Sequence, residues 1–65
     1  GTGGAKDLKV ALNLERNALL DQLVQLHVDL KAQTITQEEH EIMVVGLQER
    51  LALILKKLST VDASA

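Results

Sequence analysis

Residues 34–40 read Thr-Ile-Thr-Gln-Glu-Glu-His and interrupt a chain that is otherwise patterned for helix. The stretch begins with three β-branched residues, which lose side-chain freedom in a helix and are weak helix formers. Thr36 and Glu39 then stand at the spacing of a capping box. In that motif the hydroxyl accepts from the N–H three residues on, while the carboxylate accepts from the N–H of the cap residue. The stretch therefore predicts a turn followed by the start of a second helix.

Apolar side chains recur at alternating steps of three and four residues on both sides of this turn. Such a pattern is typical of the heptad seam between helices packed side by side. The two patterns mirror each other about Ile35, so folding the chain there would bring Leu26 opposite Val44 and Leu12 opposite Leu58. The predicted intrachain seam consists of Leu12, Leu19, Leu23, Leu26, Leu30, Val44, Leu47, Leu51, Ile54 and Leu58.

These patterns predict an all-α fold, an antiparallel and coiled-coil-like two-helix hairpin with helices over about residues 6–32 and 37–58. Residues 1–5 are expected to be a flexible linker or the remnant of a tag, and residues 59–65 a disordered tail. The alternative is a segment of a long continuous coiled coil. It arises because Gln33 and Gln37 keep the heptad phase through the turn.

Composition excludes several classes of function. The chain has 65 residues, a net charge of −2, no cysteine and no aromatic residue. It therefore has no disulfide or thiolate metal site, and no basic cluster with stacking aromatics for nucleic acid. No apolar run approaches the roughly 20 residues of a membrane span, and no secretory signal is visible. We expect no nucleic-acid binding, no membrane span and an intracellular, cytoplasmic location.

The residue types that carry chemistry do not form a constellation. His27 and His40 are the only histidines, whereas a metal site needs three or four convergent ligands. We interpret His40, at a seam position, as a core histidine or as part of a pH-sensitive interface. Ser59 and Ser64 lie in the predicted tail, away from both histidines, so no nucleophile–base pair is present. The sequence predicts no catalytic residue, no metal, no cofactor and no enzyme activity.

Two seam-region residues allow more than one interpretation. Arg16 occupies a seam position, where its stem can pack while its head reaches water, or where it can select the helix register or the partner. Gly46 weakens the second helix by about 1 kcal/mol relative to alanine. It is either a neutral substitution or a point at which another backbone approaches closely.

Apolar residues extend beyond the seam on both helices. A lone hairpin covers one stripe per helix, and exposed apolar patches mark interaction surfaces. The sequence therefore predicts a protein–protein interaction module that homodimerises, or docks on a heteromeric helical partner or scaffold, and so completes a four-helix bundle. The predicted interface consists of Leu20, Val24, Val28, Ile42, Met43, Val45, Leu53 and Leu55.

The turn also resembles two families of helical hairpin. Residues 35–39 (Ile-Thr-Gln-Glu-Glu) resemble oligomerisation modules of the SHOCT type, although Gln33 and His40 stand near the places of that family's glycine and aromatic residue. Residues 26–30 (Leu-His-Val-Asp-Leu), the acidic restart at 36–39 and the end at 55–58 resemble the coiled-coil hairpin of a Ral-binding GTPase effector. The second resemblance implies binding of a Ral- or Rab-type small GTPase through exposed residues of both helices, although the loop here is shorter than in that family.

Overall fold

The computed structural model describes residues 4–64, which form two α-helices and no strand. Helix α1 spans Gly4–Lys31 and helix α2 spans Gln37–Ser64, each of 28 residues. Lys9 Nζ lies 2.6 Å from Asp62 Oδ1, so the start of α1 lies beside the end of α2. The prediction of an all-α chain with two helices is confirmed. The helices form an antiparallel hairpin, and residues 32–36 turn the chain instead of continuing one long helix.

Helix α1 ends in a Schellman motif, although the residue that usually forms it is absent. Gln33 has a φ of 62°, a left-handed conformation that glycine normally supplies at this position. The N–H of Gln33 donates to the Leu30 carbonyl and the N–H of Thr34 donates to the Asp29 carbonyl, both at 3.0 Å. The Thr34 hydroxyl also donates to the Asp29 carbonyl, at 3.1 Å. Carbonyl groups at the end of α1 thus receive donors, and the chain reverses direction.

Helix α2 begins with the capping box that the sequence predicts. The backbone N–H of Thr36 donates to Glu39 Oε1, and the N–H of Glu39 donates to Thr36 Oγ1. The His40 N–H donates to the Thr36 carbonyl at 2.9 Å and continues the helical ladder. Ile35, just before the cap, is half-buried against the core, so the turn is attached to the hairpin by apolar packing as well.

The core is the single stripe between the helices. Six predicted seam residues are buried there: Leu12, Leu19, Leu26, Leu47, Ile54 and Leu58. The side chains that pack half-buried against this core are Leu23, Ile35, Val44, Leu51 and Val61. Leu30, the remaining predicted seam residue, is half-buried at the end of α1 beside the turn.

Both helices extend beyond their predicted ends. Helix α2 continues to Ser64, although residues 59–65 are predicted to be a disordered tail, and α1 already includes Gly4. The physical reason is tertiary: Val61 packs against the core, and Asp62 pairs with Lys9. The Thr60 hydroxyl also donates to the Lys56 carbonyl. Residues 1–3 of the predicted linker and residue 65 of the predicted tail lie outside the described residues.

The hairpin is long and thin. Its extents are 48 × 15 × 12 Å and its radius of gyration is 15.0 Å, whereas a compact domain of this length would have about 11 Å. Two helices can bury only the stripes that face each other, so most of each helix surface stays exposed to solvent.

Candidate functional site

The outer helix surfaces carry the side chains that the sequence assigns to an interface. All eight predicted interface residues are exposed, and Ile42, at 73%, is the most open of them. On α1 these residues are Leu20, Val24 and Val28, and on α2 they are Ile42, Met43, Val45, Leu53 and Leu55. Their exposure follows from the hairpin geometry, since none of them lies on the stripe that faces the other helix.

Three further exposed apolar residues were missed by the sequence analysis: Leu8, Val10 and Leu14. Val10 and Leu14 could have been found by extending the spacing of Val24 and Val28 backward. Positions 10, 14, 17, 21, 24 and 28 follow steps of three and four residues and so share one face. Asn17 and Asp21 interrupt the apolar character of that face in the middle of α1.

An open groove runs along one side of the hairpin. It has a volume of about 410 Å³, and its walls include Gln25 and Asp29 from α1 and Met43, Gly46 and Arg50 from α2. Gln25 Nε2 donates to Asp29 Oδ1 at 2.9 Å, which holds that carboxylate at the wall of the groove. Among the described residues Arg50 makes no ion pair, although it lines the same groove as Asp29. The walls of the groove therefore hold an exposed base, Arg50, and a half-buried carboxylate, Asp29.

Gly46 lies in this groove with empty space above it. A Cβ atom built on Gly46 would meet no heavy atom within 4 Å, apart from its own local backbone. Packing within the hairpin therefore does not require glycine at this position. Gly46 weakens α2, and packing within the hairpin gives no reason for it. This is consistent with close approach of a group from another molecule at this point.

Two polar groups in the seam lack partners. Arg16 and His40 are half-buried side chains, and the Arg16 Nε and His40 Nδ1 atoms are buried without a hydrogen bond. Only the far end of the Arg16 guanidinium, Nη2, approaches a neighbour, Asn17 Oδ1 at 3.4 Å. His27, in contrast, is exposed on α1. The structure thus places a desolvated donor toward the open end of the seam and an unpartnered imidazole nitrogen beside the turn.

Metal-ligating side chains do not converge in the described part of the chain. No group of three or more His, Asp or Glu side chains within residues 4–64 is arranged to hold a metal ion. In the same residues neither helix has a stretch that is both apolar and long enough to cross a membrane. Ser59 lies exposed on α2, and both histidines lie nearer the turn.

No protein-family model, curated protein or solved structure matches this chain. The function must therefore be inferred from the physical properties of the hairpin surface.

Proposed function

We propose that this chain is a non-enzymatic protein–protein interaction module that homodimerises through the outer apolar surfaces of its hairpin. The observation that carries the proposal is the exposure of large aliphatic side chains on both helices after the seam has formed. Each square ångström of apolar surface left in water forgoes about 25 cal/mol. A second helical layer over these side chains would recover that free energy.

The area of the hairpin supports a partner of similar size. Its accessible surface is 4960 Å², whereas a compact monomer of 7.1 kDa would expose about 4,100 Å². The excess of about 900 Å² is close to the roughly 800 Å² that each partner buries in a stable interface of standard size. One further hairpin is therefore enough to cover the excess.

A second copy of the chain is the partner that fits this surface with the fewest assumptions. It supplies a hairpin of equal length, and a two-fold axis lets the same patch serve on both copies. Four helices packed in this way give each helix two neighbours, so two stripes per helix are buried instead of one. Dimerisation would thus complete a four-helix bundle and could serve to assemble larger chains that carry the module.

The test is the molecular mass of the chain in solution, measured by sedimentation equilibrium from low to high micromolar concentration. We expect a concentration-dependent shift from monomer to dimer, with helix content rising as the dimer forms. A folded monomer at every concentration would overturn homodimerisation. Binding to a nucleotide-loaded small GTPase, which the effector resemblance implies, would then be the next experiment.

Three aspartate variants separate association from folding. Val24→Asp on α1 and Leu53→Asp on α2 place a charge on exposed side chains. At least one should shift the mass toward the monomer while the helical circular dichroism signal at high concentration persists. Leu47→Asp buries a charge in the seam and should abolish the helical signal itself. Dimer mass that survives both surface variants would contradict the proposed role of the outer surfaces.

A further inference from the structure

One face of α2 carries a pattern that is complementary to itself. Glu39, Met43, Gly46, Arg50, Leu53 and Lys57 follow one another at steps of four, three, four, three and four residues. This spacing places them in a single row along the helix, which we call the α2 stripe. All six are exposed, and the row is separate from the seam residues that face α1.

Reversing the direction of a second α2 matches every position of the stripe. When two copies run antiparallel about an axis level with Gln48, Glu39 stands opposite Lys57 of the second copy. Met43 then stands opposite Leu53, and Gly46 opposite Arg50. Acid meets base, apolar meets apolar and the smallest residue meets the longest, and two-fold symmetry repeats each pair.

The charge distribution of α2 favours this antiparallel arrangement over a parallel one. Its first turn contains Glu38 and Glu39, whereas Lys56 and Lys57 lie in its second half. Antiparallel pairing about Gln48 brings the acidic first turn of each α2 onto the lysine pair at 56–57 of the other, while parallel pairing in register would place like charges together. The start of α1 lacks this polarity, because charges of both signs are mixed over residues 6–9.

The groove beside Gly46 gives the central pair room. Because a Cβ on Gly46 would meet nothing within 4 Å, the space above it is open to the Arg50 side chain of a second copy. Asp29 lines the same groove and presents an acceptor to that guanidinium. A charge-assisted hydrogen bond of this kind is stronger than a neutral one and fixes the register of the pairing.

We propose that the second copy in the dimer docks on this face: two copies of the chain pair antiparallel through the α2 stripe, and Arg50 of each copy lies over Gly46 of the other. This inference rests on the proposed homodimerisation and narrows it from the outer apolar surfaces of both helices to one face of α2, with a stated direction and register. Exposed Met43 and Leu53 form the apolar part of the contact, and Glu39 with Lys57 closes it at both ends.

Charge reversal and mixing test the register. Glu39→Lys and Lys57→Glu should each dimerise about tenfold more weakly than the wild type, since each places like charges opposite one another at both ends. Glu39→Lys also removes the carboxylate of the capping box, so the decisive observation is the recovery of affinity on mixing, which loss of the cap does not predict. An equimolar mixture of the two variants should form a heterodimer of near wild-type affinity. In that heterodimer one chain carries a base at both positions and the other carries an acid at both, so opposite charges meet at each end. Lys56→Glu is the matched control, since it makes the same charge change off the stripe and should have a smaller effect.

A small-to-large substitution tests the centre of the contact. Gly46→Gln should raise the helix content of the hairpin, because glutamine is a better helix former and the site is open. The same change should weaken dimerisation about tenfold by filling the space of Arg50. Ala52→Gln, an exposed position of α2 off the stripe, is the control and should leave the mass unchanged.

The outcomes separate this inference from the function on which it rests. A monomeric wild type at all concentrations would overturn both. A wild-type dimer whose affinity is unchanged by Gly46→Gln and Lys57→Glu would retain homodimerisation and reject the α2 stripe. Mixing that fails to restore affinity between two folded charge variants would likewise reject the antiparallel register. Circular dichroism of each variant at high concentration establishes that it is folded.

Discussion

The backbone N–H of Thr36 donates to Glu39 Oε1 at 3.0 Å, and the N–H of Glu39 donates back to Thr36 Oγ1 at 3.1 Å. Each residue thus satisfies a backbone donor of the other at the start of α2. Those donors have no partner within the helix, because the first turn precedes the i to i−4 ladder. The pair also marks the point at which the chain stops turning and begins its second helix.

Removing the cap hydroxyl should destabilise the hairpin. Thr36→Ala leaves the Glu39 N–H without its acceptor, and we expect the free energy of unfolding to fall by about 1 kcal/mol. Urea denaturation at fixed chain concentration measures the change. Ser59→Ala also deletes a hydroxyl on α2, but within the helix, and should leave stability unchanged or slightly higher. Equal losses for both variants would contradict a specific capping role.

The same pair predicts how stability depends on pH. The hydrogen bond from the Thr36 backbone, and then that with its side chain, lowers the pKa of Glu39 below the ordinary glutamate value. The folded state therefore binds the Glu39 proton more weakly than the unfolded state does. The stabilisation by the ionised Glu39 is fully present at a pH above the ordinary glutamate pKa, and it is lost as the pH falls through the lowered pKa of the folded state. Glu39→Gln should therefore be less stable than the wild type near neutral pH, and the gap should narrow in acid. Unfolding curves from about pH 6 to about pH 3 check this, and a constant gap would contradict it.

The left-handed residue that ends α1 offers a stabilising substitution. Gln33 adopts a φ of 62°, which costs a residue with a Cβ about 1 kcal/mol or more. Gln33→Gly should raise the free energy of unfolding by up to about 1 kcal/mol, reduced by the greater freedom of glycine in the unfolded chain. Gln48→Gly makes the same replacement inside α2 and should lower stability by about 1 kcal/mol. The difference in sign between the two variants is the decisive observation.

The turn could be predicted from the sequence because its determinants are local. The capping residues Thr36 and Glu39 are only three residues apart. The spacing of the apolar residues likewise indicates the stripe on which Leu19 and Ile54 are buried. The end of α2 could not be predicted, since Asp62 meets Lys9 only after the chain has folded back. The Schellman motif was also not identified, because Gln33 is not a residue that sequence rules assign to a left-handed position.

A matched pair of leucine truncations on α1 should separate the seam from the outer surface. Leu19 is 5% exposed and Leu14 is 64% exposed, although both are leucines on the same helix. Leu19→Ala should lower the free energy of unfolding by about 2–5 kcal/mol through lost burial and a residual cavity. Leu14→Ala should change it by less than about 0.5 kcal/mol. Thermal unfolding followed by circular dichroism measures both, and similar losses would contradict the assignment of the seam.

Substitutions at Arg16 test whether the seam contains a buried polar group without a partner. The Arg16 Nε atom is buried without a hydrogen-bond partner, and an unpaired buried donor costs about 1–3 kcal/mol. Arg16→Met keeps much of the apolar stem and removes every donor, so we expect the free energy of unfolding to rise by about 1 kcal/mol. Arg16→Lys keeps the charge but lacks the Nε group, and it should fall between the wild type and the methionine variant. A loss of stability in Arg16→Met would contradict the view that the buried Nε group is an uncompensated donor in the seam.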